Sequence, residues 1–199
     1  MLELRERGLP TITRRQELRR QIDAAIWLWA VRDEPLVANL IAYAALDVLR
    51  SLCGIAKEQT FKGKIEENIK SDMIKLWREY DRRAYTHSKH ADKDPLLDLE
   101  DFHPEIAEFN ILAAITDFSS LYKTNSPTML LFRTVALMRR PEVLKDGEFK
   151  DVHLAQAEFV RGYLGEGKDL RQHLRDLLLL VEANPALIAA WPQEHLEPI

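Results

Sequence analysis

The chain has 199 residues, of which 46% are apolar and 30% charged, with only seven Gly, nine Pro and one Cys. That length suits one globular domain with a sizeable core, and the composition excludes a disordered chain, a collagen-like repeat and a disulfide scaffold. Lys and Arg number 28 against 32 Asp and Glu, a net charge of −4, so any contact with nucleic acid has to be made by a local basic patch.

Residues 1–12 carry no periodicity and read as a flexible N-terminal arm. Their charges are followed by no apolar stretch, unlike a secretory signal. No window holds the roughly 18 uninterrupted apolar residues of a membrane span, so a cytoplasmic chain without membrane contact is expected. Thr13-Arg-Arg-Gln16 has the spacing of a capping box, and Leu18, Ile22, Ala25, Ile26 and Trp29 follow at helical intervals to about Arg32. Asp33-Glu34-Pro35 is a second start signal. It precedes a wide apolar stripe, Leu36, Val37, Leu40, Ile41, Ala44, Ala45, Val48, Leu49 and Leu52, with Gly54 as a stop. A stripe of that width predicts the central helix of a bundle.

Residues 55–63 read as a loop. From Lys64 a third pattern, Ile65, Ile69, Met73, Leu76, Trp77 and Tyr80, continues to about His90, and the acidic stretch from Asp92 to His103 reads as a connector. Pro104 opens a fourth helix with Ile106, Phe109, Leu112, Ala113, Ile115 and Leu121 inward. Ser126-Pro127 caps a fifth, which ends at Arg139-Arg140-Pro141, where proline stops the ladder and arginines suit the negative end of the dipole. Residues 151–163 read as a short helix, and Lys168 to Ala183 as a strong one with Leu170, Leu174, Leu177, Leu178 and Val181 inward. No β alternation and no fixed-period repeat occurs. The expectation is all-α: a bundle of four or five helices over residues 13–140 and a helical C-terminal extension over 141–199.

One segment has parts for chemistry: Tyr80-Asp-Arg-Arg-Ala-Tyr-Thr-His-Ser-Lys-His-Ala-Asp-Lys-Asp-Pro95. His87 and His90 share a face if helical, with Arg82 and Arg83 one to two turns earlier. A histidine can take a proton from a ribose 2′-hydroxyl or return one to the leaving oxygen, and an arginine can grip a phosphate and stabilise developing charge. The same residues suit the end of a helix through its dipole alone. Charge is segregated here: Lys57 to Lys89 holds nine Lys/Arg and six Asp/Glu, a net of +3, and Asp92 to Glu108 holds seven acids and one lysine, a net of −6.

Arg82-x4-His87 and Arg83-x6-His90 resemble the Arg-x4–6-His signature of the HEPN superfamily (higher eukaryotes and prokaryotes nucleotide-binding), small all-α bundles. The resemblance implies RNA or nucleotide binding and, as in many members, metal-independent endoribonuclease activity in bacterial defence or toxin–antitoxin systems. It also implies a homodimer with the cleft across it. In that reading His90 or His87 is the general acid/base and Arg83 or Arg82 holds the phosphate. Lys89 and Tyr85 contact substrate, and Asp92 and Asp94 orient the histidine. Lys89-His90-Ala91-Asp92-Lys93-Asp94 also resembles a recurrent segment of uncharacterised bacterial helical proteins, which favours His90.

Two other readings stand beside it. A non-catalytic interaction or regulatory bundle would use the charged segment as a connector and Trp27 or Trp29, two residues apart and unable to face one core together, as a self-association surface. A metal could be held by His87 and His90 with Asp92, Asp94, His103 or Glu105, although no His-Glu-x-x-His pattern is present. No Gly-rich phosphate loop or Gly-x-Ser-x-Gly elbow occurs, and no cofactor is expected. Cys53, at the end of an apolar run, reads as a buried inert thiol.

Overall fold

The computed structural model describes residues 11–90, 98–139, 158 and 169–184. Among these there are seven helices and no strand: α1 (Arg14–Ala30), α2 (Pro35–Ala56), α3 (Phe61–Glu66), α4 (Ile74–Lys89), α5 (Glu105–Tyr122), α6 (Pro127–Arg139) and α7 (Leu170–Ala183). The fold is all-α.

Local chemistry sets most of the boundaries. The Thr13 hydroxyl accepts the Gln16 amide at 3.2 Å, and the Gln16 side chain accepts the Thr13 amide at 3.0 Å, the reciprocal capping box that starts α1. Ser126 Oγ accepts the Met129 amide at 3.1 Å and starts α6. Pro35 opens α2, where its missing N–H costs nothing. Asp33 does not cap that helix: it sits at φ 58°, in the turn between α1 and α2. Gly54 does not stop α2 either. The helix runs to Ala56 and ends at Lys57, whose left-handed backbone lets its amide reach the Cys53 and Gly54 carbonyls.

α2 is central, packed on α1, α5 and α4. Its fully buried row is Ala38, Asn39, Ala42, Tyr43, Ala45, Leu46, Leu49 and Cys53. The larger members of the expected stripe, such as Leu40, Ile41, Val48 and Leu52, are half-buried beside it. Alanines at 38, 42 and 45 let α1 and α5 approach closely, so bulk is carried at the flanks. By length and composition α2 is apolar enough to cross a membrane; here that apolarity meets the inner faces of α1 and α5.

The core joins Leu18, Ile22 and Ile26 of α1 to Ile111, Ile115 and Phe118 of α5, Met129 and Phe132 of α6, and Leu170, Leu174 and Leu178 of α7. α7 is thus part of one core with the bundle. Trp29 is buried against Phe132, ring centroids 5.4 Å apart, while Trp27 is half-buried. The expected short helix over 151–163 and the chain ends lie outside the described residues, Glu158 apart.

The expected long helix from Lys64 to His90 is broken. α3 ends at Glu66, residues 67–73 form turns, and α4 starts at Ile74. The apolar spacing across the break was misleading, because Met73 and Leu76 are exposed. The buried side chains here are instead Lys62 of α3 and Asp81 and Ala84 of α4.

Candidate anion-binding site

The break between α3 and α4 creates a cleft. The less exposed row of α4 at helical spacing is Ile74, Trp77, Asp81 and Ala84; Trp77 meets Phe109 of α5, and Asp81 reaches Tyr43 of α2. α3 is held at its start by two acceptors. Thr60 Oγ1 takes the Gly63 amide at 3.1 Å, and Asp117 Oδ1 of α5 takes the Phe61 amide at 2.6 Å. That second bond turns α3 so that Lys62 points inward toward α4.

Lys62 Nζ lies 2.7 Å from Asp81 Oδ1 and 2.5 Å from Oδ2. It also sits 4.4 Å over the Tyr43 ring and 5.7 Å from the Phe109 ring. The Tyr43 hydroxyl donates to Asp81 Oδ2 at 3.4 Å. Burial lowers the pKa of the Lys62 ammonium, and the Asp81 carboxylate opposes that shift. Burial, then the negative charge of Asp81, raises the Tyr43 phenol, with Arg50 and Arg82 pulling the other way. An ammonium facing a carboxylate and an aromatic ring is the kind of compensation a buried charge requires.

Above this pair the cleft opens to a volume of about 290 Å³, walled by α2, α3 and α4. Its charged lining is Arg50, Lys62, Arg78 and Arg82 against Glu66 and Asp81, four positive and two negative groups, an excess of +2. Arg78 donates to both Glu66 oxygens, at 2.9 and 2.6 Å. The hydrogen bond from Arg78 holds the Glu66 carboxyl below its ordinary pKa. Lys62 is committed to Asp81. Arg50 and Arg82 remain. Arg50 pairs outside the lining with Asp47 at 3.5 Å and lowers the Tyr43 phenol through a hydrogen bond. Arg82 donates Nε to the Arg78 carbonyl at 3.3 Å and, among the described residues, makes no ion pair. The Arg82 fork, with Arg50 in the same lining, can bind an oxyanion in bidentate fashion.

Of the residues singled out in the sequence, Arg82 lines this cleft. Tyr85 stacks on Tyr43 with ring centroids 4.7 Å apart, backing the cleft wall, and Lys89 Nζ lies 5.4 Å over the Tyr85 ring. Arg83 is turned elsewhere: it faces the connector, 3.7 Å from Asp101. Steps of 100° per residue put His87 and His90 on the Arg83 side of α4 and about 140° from Arg82 in the case of His87. Neither imidazole lines the cleft. His87 is half-buried, and His90 is exposed at the end of α4. Asp92 and Asp94 lie outside the described residues. Among the described residues no group of three His, Cys, Asp or Glu side chains is close enough to hold a metal ion.

Six members of the lining, Tyr43, Arg50, Lys62, Glu66, Arg78 and Asp81, were not singled out from the sequence. Two signals were available. Asp81 interrupts the apolar row Ile74, Trp77, Ala84, and Arg78 and Arg82 are one turn apart.

Compared with known proteins, the chain matches no family model, no curated protein and no solved structure.

Proposed function

We propose that this protein binds the phosphate of RNA or of a nucleotide in the cleft between α2, α3 and α4. The observation that carries the reading is a cleft lined by four cationic and two anionic side chains, in which Arg82 makes no ion pair among the described residues. Arginine is the side chain suited to this task, because its planar fork stays charged and matches a phosphate in two places. The chain's overall negative charge is compatible with this, since recognition here is local.

The reading is one of binding. Cleavage would need an imidazole within hydrogen-bond reach of the 2′-hydroxyl, and neither His87 nor His90 lines the cleft. Binding of labelled RNA and of a labelled mononucleotide, measured by fluorescence anisotropy at low salt, tests the proposal. Wild type should bind at least one of them, and Arg50→Ala with Arg82→Ala should abolish binding while the circular dichroism spectrum stays unchanged. Absence of wild-type binding to either probe overturns it. An RNA-degradation assay on the same samples separates binding from the endoribonuclease reading: loss of cleavage in His87→Ala with His90→Ala would restore the latter.

A further inference from the structure

We infer that a second pocket, between α4 and the start of α5, binds a quaternary ammonium ion, the charged group of choline-type molecules and of a trimethylated lysine side chain. This goes beyond the phosphate-binding reading and does not rest on it. The pocket lies on the flank of α4 that carries Tyr80, and the anion cleft on the flank that carries Arg78 and Arg82. Three observations carry the inference.

The first is the lining. Trp77 and Tyr80 of α4, Phe109 of α5 and His103 just before α5 bring four aromatic rings to one space of about 240 Å³. Trp77 meets Phe109 with ring centroids 5.5 Å apart and planes at 84°, and Tyr80 meets His103 at 6.3 Å and 48°. A flat group such as a nucleobase is gripped between parallel faces. Rings set at steep angles instead offer their surfaces to a compact group from more than one direction. Ring faces are electron-rich and attract a cation held within about 6 Å of their centroids.

The second is charge. No Lys or Arg lines the pocket, and its carboxylates are Asp81 and Glu105. Asp81 is engaged by Lys62, and the neighbouring Arg83 by Asp101, so neither of those pairs tips the balance. The segment 98–108, which supplies His103 and Glu105, holds five Asp/Glu and no Lys/Arg. That field repels a phosphate and draws a cation.

The third is the kind of cation. Tyr80 is 39% exposed, His103 is exposed, and Trp77 and Phe109 are half-buried, so aromatic surface stands open to a ligand. A bare ammonium is strongly hydrated and needs acceptors for its N–H groups, and both Asp81 oxygens are already taken by Lys62. A quaternary ammonium has no N–H to satisfy and loses water onto ring faces at lower cost.

The test titrates the full chain with choline, with its uncharged isostere in which carbon replaces nitrogen, and with one short peptide carrying either trimethyllysine or unmodified lysine, followed by proton NMR and calorimetry. Choline or the trimethyllysine peptide is expected to bind in the millimolar range or tighter, about tenfold or more tighter than its uncharged or unmodified counterpart. Its N-methyl signal should move upfield through the ring currents of the pocket. Choline against the modified peptide distinguishes a free small molecule from a modified side chain, since both present the same group. Tyr80→Leu should weaken binding by about fivefold or more with an unchanged circular dichroism spectrum, Tyr80→Phe, which keeps the ring face, should retain it, and Arg82→Ala should leave it unaltered. Equal binding of choline and its carbon isostere, undiminished binding in Tyr80→Leu, or no binding of either cation overturns the inference, and each of these leaves the phosphate-binding reading untouched.

Discussion

Lys62 and Asp81 form a buried ion pair between α3 and α4, with the ammonium 2.7 and 2.5 Å from the two carboxylate oxygens and both residues at most 6% exposed. The pair floors the cleft and decides where α4 lies. Taking two charges out of water is costly, and their attraction only about offsets that cost. Removing one partner is different, because it strands the other charge. Lys62→Ala and Asp81→Ala are each expected to destabilise the fold by about 3–5 kcal/mol. The joint variant Lys62→Met, Asp81→Leu should lose far less than the sum. Urea denaturation of the four proteins checks this. Additive losses would show that the two side chains are not coupled.

Asp117 gives a pH dependence of defined sign. Burial raises its carboxyl above the ordinary value of 3.8, although the Phe61 amide and the positive charges of Lys62, Lys64 and Arg50 oppose that shift. Between 3.8 and the raised folded value, the native state keeps a proton that the unfolded state has released. Stability contributed by this group therefore falls as pH rises through that window and stays lower above it. Asp117→Asn retains an oxygen for the Phe61 amide and removes the titration. It is expected to be as stable as wild type or more so at neutral pH, and to lose its advantage as pH falls below 3.8. Asp117→Ala removes the acceptor and should cost about 1–3 kcal/mol. Denaturation midpoints across that pH range give the comparison.

How far the sequence reveals the fold is clearest at the helix ends. Thr13 with Gln16, and Ser126 with Pro127, are side-chain or ring effects that act within a few residues, so they can be read locally. The end of α3 at Glu66 is marked more weakly: no Gly or Pro lies between 67 and 73, and the local cap is the Asn68 side-chain amide donating to the Lys64 carbonyl at 2.9 Å. The start of α3 is held by Asp117, 56 positions from Phe61. The periodicity of Ile65, Ile69, Met73 and Leu76 suggested one continuous face, but two of these residues are exposed. The site suffered from the same limit. Reading Arg82 with His87 pairs two residues by separation along the chain, whereas its spatial companions are Arg78 on its own helix and Arg50 on another. Tyr43, Arg50 and Lys62 join the site only through tertiary packing, which no single-chain motif encodes.

The two adjacent arginines of α4 should behave oppositely. Arg82 opens into the cleft, and Arg83 faces Asp101 of the connector. Arg82→Ala is expected to weaken phosphate binding by about tenfold or more, and to flatten its salt dependence because one phosphate contact is lost. Arg83→Ala should leave binding within about twofold and stability within about 0.5 kcal/mol, since its pair is exposed. Anisotropy titrations at two salt concentrations decide the matter. A larger loss from Arg83→Ala would move the site to the histidine side of α4.

Cys53 is buried in α2, and burial, with Asp117 and Glu58 nearby, pushes its thiol up to about 11. The thiolate is the reactive form, so native protein at pH 8 should react with a thiol reagent only through opening of the fold. The observed rate is expected to rise steeply in urea, in step with loss of helical circular dichroism. Rapid labelling without denaturant would mean that α2 is accessible in the native state.

α7 is tied to the bundle by Arg171. Its guanidinium donates to Asp33 Oδ1 at 2.6 Å and to the Trp29 carbonyl, and its Cζ lies 4.6 Å from the Trp29 ring centroid. Arg139 approaches the same ring at 5.5 Å and pairs with Glu108 at 2.7 Å. The indole is therefore flanked by two cations and meets Phe132 in a T-shaped contact. Each such contact at a partly buried site contributes about 0.5–2 kcal/mol, and a hydrogen bond from a charged donor about 1.5–3 kcal/mol. Arg171→Ala is expected to cost about 2–4 kcal/mol, the upper part of the combined range being unreachable because the contacts share one group. The loss should be local at first. Amide exchange should speed up across Leu170–Ala183 before it does in α2 or α5. Leu174→Ala provides the contrast, since it cuts into the common core and should lower protection in α1 and α6 as well. Uniform acceleration in Arg171→Ala would show that α7 opens only together with the rest of the bundle.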